Sequence, residues 1–86
     1  MLPEAQAAVD AVTRAAAARI NLPAASLQVQ RVERHDWPDS SLGCPAPGML
    51  YAQVLTSGYV VVVTGGGRQL EYHIADQGQP VLCQEQ

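Results

Sequence analysis

Between Asp36 and Met49 the chain carries three prolines, Pro38, Pro45 and Pro47, two glycines, Gly43 and Gly48, and the adjacent serines Ser40 and Ser41. Proline fixes φ and lacks the N–H that a helix or a central strand uses, while glycine opens backbone angles that other residues avoid. No regular element crosses this stretch, so the fold must be assembled from the segments on either side of it. The prolines also lessen the freedom that the loop loses on ordering. A rigid loop suits recognition more than catalysis, because binding then costs little further ordering.

On the N-terminal side the spacing predicts a helix over residues 3–20. Pro3 suits a first helical turn and Glu4 sets negative charge against the dipole. Val9, Val12, Ala16 and Ile20 recur at helical spacing, and Ala5 and Ala8 widen this stripe into a face that packs on a sheet. Arg14 and Arg19 suit the C-terminal half, and Asn21 can take a left-handed cap before Leu22 and Pro23 end the helix. Residues 27–35 then alternate as a strand. Their phase slips at Val32, which predicts a bulge, and Arg31, Glu33 and Arg34 mark a solvated edge strand that ends at Trp37.

Beyond the loop, Leu50–Thr56 alternates again, Ser57 and Gly58 read as a tight turn, and the β-branched run Tyr59–Thr64 reads as the central strand, completing a hairpin. Gly65, Gly66 and Gly67 turn the chain into residues 68–74. There Leu70, Tyr72 and Ile74 share one face and Gln69, Glu71 and His73 the other. A turn at residues 76–79 leads to a short last strand, Val81–Cys83. The expected fold is α+β, one N-terminal helix packed on a four- or five-stranded antiparallel sheet, in a single domain of residues 1–86.

A chain of 86 residues with thirteen alanines and no Phe builds only a thin core, and small weak-cored domains often carry a covalent staple. Cys44 and Cys83 are the only cysteines and form no C-x-x-C pair. A disulfide between them would close a loop of about 40 residues, for which chain entropy gives roughly 4 kcal/mol. Two reduced, buried thiols are the other reading. A disulfide implies export. Residues 1–20 contain no basic n-region or uninterrupted apolar h-region, so an exported chain of this sequence would be a mature form or an excised domain with an initiator Met.

Five Arg, no Lys and eight carboxylates make the net charge -3, which repels rather than attracts a phosphate backbone, so no nucleic-acid partner is expected. The longest apolar runs, Ala15–Ala18 and Tyr59–Val63, fall far short of the ~20 residues that span a bilayer.

The run Trp37-Pro38-Asp39, Ser41-Leu42-Gly43-Cys44-Pro45, Pro47-Gly48 and Tyr51, followed by Gln53-Val54, Gly58-Tyr59, Tyr72-His73 and Leu82-Cys83, resembles a domain of uncharacterised, mostly exported or lipoprotein-like bacterial proteins. The resemblance covers residues 14–83 and departs from the pattern at Leu70, where an aromatic residue is usual. It implies export and a Cys44–Cys83 pairing, and no active site comes with it.

The candidate binding surface is the loop, with Trp37, Asp39, Ser41, Leu42, Pro45, Pro47, Met49 and Tyr51 as its site residues and a protein or peptide as its partner. A sheet edge beside it could add a strand. A peptidase inhibitor presenting Leu42 or Met49 is the alternative within binding. The alternative from another class is an enzyme in which Cys44 is the nucleophile, His35 or His73 its base and Asp36 or Asp39 the orienter. Against it, Cys44 lies between Gly43 and Pro45 rather than at a helix N-terminus, and a disulfide would abolish its reactivity. Two histidines with no metal-ligand spacing argue for hydrogen-bonded side chains, so no metal and no cofactor are expected. The glycine triplet joins two strands and precedes no helix, which makes it a turn rather than a phosphate loop. Ser40 and Ser41 cap turns. Trp37 packs the loop on the sheet or contacts a ligand, and Tyr72 faces the helix in place of a Phe.

Overall fold

The structure, a computed structural model, describes residues 3–86, with side chains from residue 5 onward, so the roles expected of the Pro3 ring and the Glu4 carboxylate lie outside the described residues. Its elements are α1 (Pro3–Ile20), a 3-10 turn (Ala24–Ser26), β1 (Gln28–Trp37), β2 (Thr56–Gly65), β3 (Arg68–Ala75) and β4 (Val81–Glu85). The four strands form one antiparallel sheet in the order β1-β2-β3-β4. Consecutive strands are therefore neighbours throughout, and α1 lies across one face. The α+β expectation holds with four strands.

The helix packs through small residues. Ala5, Ala8, Val9, Val12 and Ala16 are buried against Tyr59, Val61 and Val63 of β2 and Leu70, Tyr72 and Ile74 of β3. Val12, Ala16, Val61, Val63 and Leu70 have no exposed surface at all. Tyr59 and Tyr72 supply the bulk that Phe would otherwise provide, and burial pushes the Tyr72 phenol above its usual pKa. Asn21 takes the left-handed conformation (φ 57°) that ends α1.

The bulge in β1 is present: its register with β2 passes over Gln30, between Val29 and Arg31. The extra residue turns Val32 towards the helix, so that Arg31, Glu33, His35 and Trp37 fall on the opposite face of the sheet.

The hairpin expected across residues 50–64 is corrected. Leu50–Leu55 forms no strand, and Ser57 and Gly58 form no turn but lie inside β2, opposite Asp36 and His35 of β1. Gly58 is required by the ladder itself: a Cβ there would lie 2.0 Å from the carbonyl oxygen of Ile74 on β3. Glycine in this strand marks a close backbone approach, which the one-dimensional pattern does not distinguish from a turn. With β1 and β3 already flanking β2, the alternating segment at residues 50–55 has no free edge of that strand to join. The loop consequently runs from residue 38 to residue 55, and Tyr51 belongs to it.

Candidate functional site

The face of the sheet away from α1 is closed by this loop. Trp37, Leu42, Val60 and Val62 form a second, smaller core there. Three short tethers shape the chain above it. The Asp39 carboxylate accepts from the Ser41 backbone N–H at 2.9 Å and from the Ser41 hydroxyl at 2.5 Å, and these two donors hold it below the usual carboxylate pKa. Ser40 clips the loop across itself, its N–H donating to Ala52 O at 3.0 Å and its hydroxyl accepting from Ala52 N–H at 2.9 Å. The Tyr51 hydroxyl accepts from Ala46 N–H at 2.8 Å.

The turn at residues 41–44 needs two left-handed residues in succession, Leu42 (φ 58°) and Gly43 (φ 77°). Such a conformation costs a leucine free energy, which burial of its side chain offsets. Gly43 rests on the Trp37 indole so closely that a Cβ would lie 2.9 Å from Nε1.

His73 joins the sheet to the loop. Buried on β3, it stacks on Trp37 with centroids 5.2 Å apart and planes 21° apart, while Trp37 also meets His35 on its own strand at 4.9 Å. The His73 Nδ1 lies 2.6 Å from the Leu42 carbonyl oxygen and the Nε2 lies 2.8 Å from Glu71 Oε2. A carbonyl oxygen only accepts, so Nδ1 carries a proton. Glu71 also faces Arg31, whose Nη2 is 3.6 Å away and whose Nε pairs with Glu33 at 3.2 Å.

Cys44 and Cys83 are joined in a disulfide, with Cα atoms 5.6 Å apart, which fastens the middle of the loop to β4. The β3–β4 register passes over Cys83 between Glu71 and Tyr72, so this cysteine is the extra residue of a bulge on an edge strand. The donor atoms of Cys44, Cys83 and His73 lie within 4.8 Å of one another. With the sulfurs bonded together and a proton on Nδ1, this group offers neither thiolate nor ring lone pair to a metal. The same proton leaves Nδ1 unable to act as the base for Cys44.

Beside the disulfide, between Pro45, Ala46, Met49 and Tyr51 of the loop and Val81 and Leu82 of β4, lies a groove of about 470 Å³. A larger depression of about 550 Å³ at the glycine turn, lined by Ser26, Gln28, Thr64 and Arg68, is polar and lacks a braced loop. A third, of about 430 Å³, separates Ala8 and Ala11 of α1 from the turn after β3.

The eight candidate loop residues divide into two sets. Trp37, Ser41 and Leu42 point inward, with exposures of 4%, 8% and 5%, and Asp39 is spent on the Ser41 turn, so these four build the loop. Pro45, Pro47 and Met49 are exposed, Tyr51 is half-buried, and these present a surface. Leu42 is thus unavailable to a protease cleft. The sequence reading missed Leu50, Val54 and Leu55, which are 97%, 56% and 75% exposed. A legible signal was present: no Asp, Glu, Lys, Arg or His occurs anywhere in residues 40–67. All large exposed apolar side chains among the described residues except Val29 lie either in this segment (Met49, Leu50, Val54, Leu55) or at the start of β4 (Val81).

No curated protein and no solved structure matches the chain. A family model does match, over residues 9–83, a span that runs from the helix through the braced loop to Cys83, and the chain belongs to that family, described as a domain of unknown function (DUF8738).

Proposed function

We propose that the chain is a non-enzymatic, exported bacterial module that holds an extended segment of a protein partner in the groove between the loop and β4. The observation that carries this reading is the groove in which exposed Met49 of the loop faces exposed Val81 at the start of the edge strand β4, in a loop that also exposes the uncharged apolar side chains of Leu50, Val54 and Leu55. A contiguous exposed apolar surface marks an interaction site more often than scattered single residues do. The two edges of the sheet differ accordingly. β1 carries Arg31, Glu33 and Arg34, charges that discourage strand pairing, whereas β4 begins Val81-Leu82-Cys83 and meets its charge only at Glu85, which is paired with Arg19 and Arg68. Strand addition on β4 would use its outward N–H and C=O groups, with Met49 and Tyr51 forming the wall for alternate side chains of the guest. The disulfide supports export.

Peptide-display selection on the oxidised domain, followed by calorimetry, tests this. Extended apolar peptides are expected to bind at micromolar Kd, to shift the amide resonances of Val81 and Leu82, and to lose affinity when Val81 or Met49 is changed to Asp. Binding unaffected by both substitutions would place the site elsewhere. The protease-inhibitor reading rests on Met49 and Leu50 alone, since these project where Leu42 does not. Inhibition across a protease panel by the wild type, abolished in Leu50→Asp, is its signature.

A further inference from the structure

The Cys44–Cys83 bond is more than a tie between loop and edge strand, because its two sulfurs sit in unlike surroundings. Cys44 Sγ lies 3.9 Å from His73 Nδ1, the nitrogen whose proton is fixed by the Leu42 carbonyl. Cys83 Sγ is within 4.8 Å of the same ring but makes its nearest polar contact elsewhere, 3.5 Å from the Val81 carbonyl oxygen of its own strand, and the β4 bulge sets it at the sheet edge. Both cysteines are half-exposed and line the open groove beside the loop.

We propose that this disulfide is exchange-active towards external thiols, with Cys83 the sulfur attacked and Cys44 the leaving group that His73 protonates. A thiolate entering from the groove forms a bond to Cys83 Sγ while the S–S bond breaks and its electron pair passes to Cys44 Sγ. The departing thiolate takes the Nδ1 proton, so the products are a mixed disulfide at Cys83, a thiol at Cys44 and a ring that keeps its Nε2 proton towards Glu71. The incoming thiol is the only co-reactant. Exchange is faster when the leaving sulfur is stabilised, and a placed proton donor does that.

The groups that face His73 suit this role. Glu71, on its own strand, holds Nε2, and Arg31 of β1 holds Glu71 from the other side. Trp37 of β1 covers one ring face and is itself met by His35 at a tilt of 46°, and Nδ1 lies near both the Leu42 carbonyl and Cys44.

The oxidised full chain is incubated with reduced glutathione, quenched with iodoacetamide and mapped by mass spectrometry. Glutathione is expected on Cys83 and the carbamidomethyl group on Cys44, and the reverse distribution overturns the proposal. The native chain is expected to react at least as fast as the urea-unfolded chain. A native disulfide about tenfold slower than the unfolded one is a protected staple and also overturns it. His73→Gln keeps a donor for Leu42 but has no proton to give. It is expected to slow the native reaction about tenfold and leave the unfolded rate unchanged. Equal native rates in wild type and variant refute the role of His73. The site of modification and the native-to-unfolded ratio are measured on the wild type, so they decide the matter even where the variant folds poorly. Because the probe is glutathione and no peptide is present, the outcome does not depend on whether the groove binds a peptide.

Discussion

The two faces of the sheet are closed in different ways. One is covered by a regular element that contributes only carbon: α1 sets alanines and valines against Val61, Val63, Leu70 and Ile74. The other is covered by an irregular loop that sets one large side chain, Leu42, against Trp37 of β1 and adds a set of polar and covalent tethers. A helix satisfies its own backbone hydrogen bonds and needs only an apolar stripe to dock. A loop docks with unsatisfied peptide groups, so each must find a partner, and here Ser40, Ser41, Asp39, Tyr51 and His73 provide them. What a small sheet gains from the second arrangement is a presented surface, because chain held by tethers need not turn its apolar side chains inward.

The contrast breaks first at the disulfide. Replacing both Cys44 and Cys83 by Ser is expected to cost about 4 kcal/mol of unfolding free energy. Trp37 is the only tryptophan and lies under the loop, so its emission should shift to the red while the far-ultraviolet dichroism of α1 persists. Unchanged emission would show that the loop face stands without its covalent tie.

Leu70→Ala empties a fully buried position on the helix face. An expected loss of about 3 kcal/mol should appear in urea as one cooperative transition, with the emission of Trp37 in the native baseline unaltered. Leu42→Ala removes the corresponding anchor on the loop face, at about 2 kcal/mol because a loop relaxes into the space more readily than a sheet. Its signature is local: amide exchange at Ser40, Cys44 and Ala52 should accelerate while that of Val61 and Val63 does not. Acceleration spread evenly over both faces would mean the loop and the sheet open as one unit.

The smallest effect concerns pH. The Asp39 carboxylate is held below its usual pKa by Ser41, so it stabilises the folded chain above the unfolded carboxylate value, and that contribution is lost as pH falls through the folded one. Asp76, lowered by its hydrogen bonds to Arg34 at 2.6 and 2.8 Å, acts in the same direction at the end of β3. The difference in urea midpoint between wild type and Asp39→Asn should therefore shrink on acidification. A difference that is constant into the acid range would rule this tether out.

Much of the helix face was legible in one dimension. Val9, Val12 and Ala16 stand at helical spacing, Leu70, Tyr72 and Ile74 alternate, and both patterns bury as read. The slip at Val32 and the charges after it announced a bulged edge strand, and the two cysteines announced their bond. Alternation failed at Leu50–Leu55, whose pattern is that of a strand although no strand edge is offered to it. It failed also at Gly58, where local chemistry is the same for a turn and for a strand pressed against its neighbour.

The sequence alone therefore determined what depends on nearest neighbours along the chain: where α1 ends, which faces of β1 and β3 turn inward, and that residues 38–49 cannot be regular. The tertiary structure decided which surfaces meet. That Leu42 would lend its carbonyl to a histidine 31 residues away, that Glu71 would hold the other nitrogen, and that Leu50, Val54 and Leu55 would be left outside follow from the sheet order and from the point at which the disulfide pulls the loop down. Periodicity records which side of an element is apolar, but the partner for that side is chosen by long-range closure, to which local spacing is blind.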